Sequence, residues 1–124
     1  MSHANNAFVT GGTGLVGRAL VERLLARGMN VTLLIRSDAE ERRKDALDAL
    51  RAKAETHGSL ALVTGDLSQS ALGLAEAGAL ALRQAGHCFH VAALYDIEAD
   101  PEALTRANIE GTRHLLAALR EIAR

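Results

Sequence analysis

Glycines at positions 12, 14 and 17 punctuate the run Thr10-Gly11-Gly12-Thr13-Gly14-Leu15-Val16-Gly17, which lies between an apolar Phe8-Val9 start and an amphipathic stretch beginning at Leu15. This G-x-G-x-x-G spacing suits chemistry at phosphate groups. Each glycine serves where a side chain would obstruct: a tight turn, a close approach of backbone to pyrophosphate, and close packing of a helix on a strand. The helix that follows would aim its free N–H groups and the positive end of its dipole at an anion. A glycine-rich turn is weak by itself, and the bland reading is a loop. Here it follows a strand-like run, opens a helix, and precedes a second apolar run, Val31-Thr32-Leu33-Leu34-Ile35, at βαβ spacing. That arrangement reads as a dinucleotide-binding turn.

Arg36-Ser37 at the end of the second run bears on which dinucleotide. An NAD-binding turn carries an Asp or Glu about 20 residues beyond the glycines to bond the ribose 2′-OH. A guanidinium instead pairs bidentately with a 2′-phosphate. NADP(H) is therefore expected in preference to NAD(H), with NAD(H) the alternative. Asp38, Glu40 and Glu41 would repel a phosphate if they faced it, and are read instead as favourable carboxylates at a helix N-terminus.

The elements that must position these residues alternate. Strands are expected at about Ala7 to Thr10, Val31 to Ile35, Leu60 to Thr64 and His87 to Val91. A first helix, Gly14 to Arg27, carries Val16, Leu20 and Leu24 on one face and is stopped by Gly28. Ser37-Asp38-Ala39-Glu40 reads as a capping box opening a long charged helix that ends near His57-Gly58. A short alanine-rich helix covers about Ala75 to Gln84, and a last one runs from the Asp100-Pro101 cap to the chain end. Strands apolar on both faces and alternating with helices imply an α/β fold with a doubly wound parallel sheet, a Rossmann arrangement in strand order 3-2-1-4. The ligand then sits over strands one and four, where the glycine turn, Arg36, Gly65-Asp66-Leu67 and Val91-Ala92-Ala93 converge.

The 124 residues suffice for a single domain with one core, and a net charge of −1 without a basic aromatic stripe gives no sign of a nucleic-acid surface. Cys88 is the single cysteine, so no disulfide forms within the chain; it reads as a small buried hydrophobe in a reducing, cytoplasmic setting. No apolar window has the length of a membrane span. His87, His90 and His114 show no metal-ligand grouping, and no metal is expected.

Thr10-Gly11-x-x-Gly14-x-x-Gly17, Gly65-Asp66-Leu67, His90-Val91-Ala92-Ala93 and Asn108-x-x-Gly111-Thr112 together resemble the extended short-chain dehydrogenase/reductases, along the whole chain. Asp66-Leu67 followed by Leu72-Gly73-Leu74, then Phe89-His90-Val91-Ala92-Ala93-Leu94-Tyr95-Asp96, is most similar to the fatty acyl-CoA and thioester reductases of the male-sterility type. The resemblance implies that amides around Thr13, Gly14, Leu15 and Val16 hold the pyrophosphate. It implies that Asp66 accepts from the adenine amino group, that Leu67 lines the adenine pocket, and that Ala92 and Ala93 pass the ribose and nicotinamide. Arg42 is the residue it favours for adding charge beside Arg36. Asn108, on the stripe Leu104, Asn108, Gly111, Leu115, Leu119 and Ile122, is either a structural amide near the active site or a surface amide bonded to water.

The resemblance has a gap. Related reductases use a Tyr-x-x-x-Lys pair with a Ser or Thr, whereas Tyr95 has Ala99 four residues on and the only lysines are Lys44 and Lys53. The chain also stops where a fifth strand is expected, leaving Cys88-Phe89-His90-Val91 as an apolar edge open to self-association. No catalytic residue is assigned. The expectation is the cofactor-binding part of an NADP(H)-dependent oxidoreductase whose small-molecule substrate is an acyl thioester. The alternatives are a non-catalytic, redox-sensing dinucleotide module and a fragment of an NAD-dependent sugar-nucleotide epimerase or dehydratase.

Overall fold

A computed structural model describes residues 3–92 and 100–122. Strands β1 (Asn6–Thr10), β2 (Asn30–Ile35), β3 (Ser59–Thr64) and β4 (His87–His90) form one parallel sheet in the order β3-β2-β1-β4. Thr10 stands opposite Leu34 on one side and His90 on the other, so the carboxyl ends of the inner strands finish level.

The inner strands have two apolar faces because both are covered. Ala7 and Val9 of β1 and Val31, Leu33 and Ile35 of β2 pack against Val21, Leu24 and Leu25 of α1 (Leu15–Ala26) and Leu47 and Leu50 of α3 (Lys44–Ala54). On the opposite face, Phe8 and Leu34 meet Leu82 of α4 (Glu76–Arg83) and Leu115 and Ala118 of α5 (Pro101–Glu121). Each fully buried side chain of this size contributes roughly 1.5–3 kcal/mol through apolar burial. The outer strands share this two-faced burial in part. In β3, half-buried Leu60 and Leu62 pack on the α1–α3 side and half-buried Val63 on the other, while Ser59, Ala61 and Thr64 are exposed, as an edge position allows.

Two expected details are corrected. Leu15 and Val16 lie 92% and 69% exposed, so Val16 is not on the buried face of α1. The face is set by Gly17, where an added Cβ would lie 1.8 Å from the Gly11 carbonyl oxygen. With Gly17 turned inward, the helical period buries Val21, Leu24 and Leu25 behind it. The capping box is not formed either. Asp38 caps nothing with its side chain, and its carboxylate accepts from Arg42 Nη1 at 3.3 Å. The expected long helix is interrupted at Arg43 (φ −122°), giving α2 (Ala39–Arg42) and then α3. Across the break Arg51 Nη2 donates to Glu40 Oε1 at 2.7 Å.

The stop at Gly28 is as expected. Its φ of +79° is open to glycine, while Gly28 N–H bonds the Leu25 carbonyl and Met29 N–H that of Leu24, closing α1 with paired carbonyls.

Gly17→Ala is expected to lower the unfolding free energy by about 3 kcal/mol, because a rigid backbone obstacle outweighs the roughly 1 kcal/mol of helix propensity gained. Gly14→Ala, whose Cβ would meet only the Gly11 oxygen at 3.6 Å, costs about 1 kcal/mol or less as a poorer N-cap. Urea denaturation of both variants checks this; equal losses would contradict it.

Candidate functional site

The turn after β1 has no room for side chains on its inner side. Gly11 adopts φ +75°, and a Cβ there would lie 2.4 Å from the Ala92 nitrogen, so the left-handed corner falls at Gly11 rather than at Gly12. Gly12 packs under Leu33, and Gly17 packs on Gly11. Gly14 differs: it is the N-cap of α1, with no side-chain cap and no acidic residue in the first turn. The first amides of α1 therefore have no intrahelical partner and no carboxylate within their own turn, which leaves the positive helix end to an outside anion.

Arg36, at the end of β2, lines an open cleft of about 480 Å³ with Ser37, Thr64, Gly65, Asp66 and Gln69. Asp38 also lines it, which corrects its reading as a helix-end carboxylate turned elsewhere. Arg42 is not in the lining; it pairs with Asp38, so Arg36 is the cleft's guanidinium. Asp66 accepts from both the amide and the hydroxyl of Ser68, at 2.9 and 2.8 Å. These two bonds, the amide first, hold its carboxyl below the ordinary carboxylate range, with Arg36 and His114 adding smaller attraction.

Leu67 does not line this cleft. Its side chain packs toward the core beside Gly111, and its carbonyl accepts from His114 Nδ1 at 2.6 Å. The short 3₁₀ turn Ser70–Gly73 was not foreseen. Ala71 and Leu72 sit at φ 53° and 59°, a left-handed conformation costing about 1–2 kcal/mol per residue. Fully buried Leu72 holds the turn in place, and its carbonyl accepts from the Asp66 amide at 2.8 Å.

Thr10 is fully buried, which removes it from the cofactor-contacting residues, and it joins a chain of hydrogen bonds. Thr112 Oγ1 donates to the Asn108 carbonyl at 3.0 Å, so its oxygen accepts from His90 Nε2 at 3.1 Å. His90 Nδ1 is then an acceptor for the Thr10 hydroxyl at 2.7 Å, and Thr10 Oγ1 accepts the Ala92 amide at 3.2 Å. Burial pushes the His90 pKa down, which favours the neutral ring this chain requires. Val91 is tied to the Thr10 carbonyl at 3.1 Å, while Ala93 and Tyr95 lie outside the described residues. The pairing of Thr10 with His90 follows from strand register, which strand order alone does not give, and the hydroxyl of Thr112, four residues after Asn108, carried no separate signal.

Cys88 is half-buried against the α4–α5 core, and burial raises its thiol pKa. Among the described residues no helix is long and apolar enough to cross a membrane, and no group of three His, Cys, Asp or Glu could hold a metal.

The Asp66 carboxyl, depressed in the folded state, adds stability that is present above the unfolded carboxylate pKa and lost as pH falls through the folded value. In Ser68→Ala one of its two donors is gone, so the carboxyl should titrate at higher pH, still below an unperturbed aspartate. Carbon-detected NMR titration checks this, and an unmoved titration would contradict it.

Residues 9–124 match the model of the family described as male sterility protein. A protein of Synechocystis sp., provisionally named a dihydroflavonol 4-reductase, is 40% identical over 89% of this chain and 27% of its own length. A Stigmatella aurantiaca 4-hydroxy-2-methyl-3-oxo-4-farnesyl-3,4-dihydroquinoline-1-oxide ketoreductase is 34% identical over 92% of this chain and 29% of its own. The terminal R domain from the myxalamid PKS-NRPS biosynthetic pathway superposes with a TM-score of 0.69 at 26% identity, covering 96% of this chain and 32% of that one. The chain thus spans under a third of these proteins' length. With the parallel sheet in order β3-β2-β1-β4 and the glycine turn between β1 and α1, it belongs to the male sterility family of NAD(P)-binding domains, within the extended short-chain dehydrogenase/reductases.

Proposed function

We propose that this chain is the cofactor-holding part of an NADPH-dependent reductase acting on an acyl thioester. The observation that carries the cofactor choice is Arg36, which faces a cleft whose nearest acidic neighbour on the α2 side, Asp38, is already paired with Arg42. A guanidinium so placed suits the 2′-phosphate. The uncapped first turn of α1, with the amides of Thr13, Leu15 and Val16, takes the pyrophosphate, and the open space at Gly14, whose own amide bonds the Gly11 carbonyl at 3.2 Å, admits it. Asp66 takes the adenine amino group: Ser68 occupies Oδ1, and the carboxylate has a second oxygen. Gly12 and Gly17 shape the turn from behind, Ser37 adds a hydroxyl beside Arg36, and Val91, Ala92 and Ala93 flank the nicotinamide side.

When bound, NADPH supplies the hydride. This chain's own residues bind and orient the dinucleotide. The Tyr-x-x-x-Lys pair that would exchange a proton with a carbonyl oxygen is not in this sequence, and Lys44 is paired with Asp48 on α3. The chain alone is therefore inactive in this reading. The male-sterility family match, together with Asp66-Leu67 and Leu72-Gly73-Leu74, supports the thioester as the substrate class. The uncompensated helix end and Arg36 serve equally a second reading, a module that binds NADPH without consuming it.

The test follows oxidation of NADPH and of NADH by the native protein with a long-chain acyl-CoA, beside its Arg36→Asp variant. The expected result is acyl-CoA-dependent oxidation that prefers NADPH, with the preference reduced about 10- to 100-fold or reversed in the variant, the size of one lost charge-assisted contact. An unchanged preference would sink the role of Arg36. Tight NADPH binding without oxidation would select the module.

A further inference from the structure

One turn of α5 touches both ends of the cleft by separate routes. On the adenine side, His114 Nδ1 donates to the Leu67 carbonyl at 2.6 Å, and Gly111 leaves the space that Leu67 fills: a Cβ there would lie 3.4 Å from the Leu67 Cβ. On the other side, Thr112 passes through His90 and Thr10 to the Ala92 amide. The two routes share no side chain. Each ends on a loop that leaves an edge strand: Asp66 to Ser68 follow β3, and Val91 and Ala92 follow β4.

We infer that Thr112 and His114 are positioning residues that set the two halves of the cofactor site independently, Thr112 the nicotinamide half and His114 the adenine half. This rests on the NADPH-binding reading above and deepens it. The physical reason is geometric. Thr10 Oγ1 can hold Ala92 against the glycine turn only while its own proton has an acceptor, and that acceptor is His90 Nδ1. The ring presents Nδ1 as an acceptor because its Nε2 proton is taken by Thr112, whose own proton goes to the Asn108 carbonyl. Removing the Thr112 hydroxyl frees the ring to turn, and the Ala92 backbone loses its anchor beside Gly11, where 2.4 Å separates the Ala92 nitrogen from the place of a Cβ. Nothing in that route reaches Asp66. Conversely, His114 anchors the segment carrying Asp66 and has no bond to His90 or Thr10.

Two probes separate the halves: NADPH, and adenosine 2′,5′-bisphosphate, which lacks the nicotinamide end. Dissociation constants are measured by calorimetry on the full chain. Thr112→Val is expected to weaken NADPH about tenfold and leave the bisphosphate within twofold, the effect of one buried partner removed. His114→Leu is expected to weaken both probes by the same factor, about tenfold. Thr112→Ser and His114→Asn, which keep a hydroxyl and a donor in place, restore binding to within about threefold. His90→Leu, which leaves the Thr10 hydroxyl without its acceptor, provides a second route to the selective pattern should Thr112→Val fail to fold.

Equal weakening of both probes by Thr112→Val or by His90→Leu, or no weakening of either, would overturn the inference while leaving the cofactor reading intact. A parent protein that binds neither probe would bring down the cofactor reading, and this inference with it.

Discussion

Close contact between backbones around Gly11 is the constraint on which the rest of the molecule depends. Its carbonyl lies where a Cβ of Gly17 would be, and its own Cα faces the Ala92 nitrogen, so the turn, helix α1 and the end of β4 converge on one residue. The left-handed φ at Gly11 turns the chain sharply enough for α1 to start directly above the sheet. Once Gly17 faces inward, the rotation of α1 is determined. Val21, Leu24 and Leu25 enter the core, and Leu15 and Val16 are left in solvent beside the helix N-terminus.

The polar features of the site follow from that packing. A helix that starts at a glycine, with neither a capping side chain nor an acidic residue in its first turn, keeps its positive end uncompensated. The flanking loops are instead compensated internally. Asp38 is neutralised by Arg42, Asp66 is held by Ser68, and Thr10, His90 and Thr112 satisfy one another in sequence. No buried side-chain polar atom among the described residues lacks a partner. The charge that remains directed into the open cleft at the end of β2 is Arg36, accompanied by carboxylates whose hydrogen bonds are in part already committed.

Much of this was legible from local signals. Strand order followed from alternation of elements and right-handed crossovers, and the strand limits fell within a residue of expectation because β-branched and leucine runs are bounded by Gly, Asn and Ser. The buried stripe of α5 was readable from three- and four-residue steps at Gly111 and Leu115, with Leu119 and Ile122 half-buried beside it, whereas buried Ala118 was not on the expected stripe. What failed were features decided at a distance. Val16 has the spacing of a core residue, yet contact between Gly17 and Gly11 turns it outward. Ser37 to Glu40 have the spelling of a capping box, yet Asp38 finds Arg42 and the helix breaks at Arg43. Thr10 belongs to the glycine motif by position, but strand register with His90 draws its hydroxyl into the interior. The left-handed Ala71 and Leu72 had no sequence signal, since neither residue favours that conformation and only burial of Leu72 sustains it.

One dinucleotide site is proposed to span the glycine turn, the end of β2, the Gly65–Asp66 loop and the end of β4. A backbone amide map by NMR during NADPH titration tests this. Saturable shifts are expected at Thr13 to Val16, Arg36 and Ser37, Gly65 and Asp66, and Val91 and Ala92. Shifts confined to the outer face of α5, or no saturable shift at any of these amides, would contradict it.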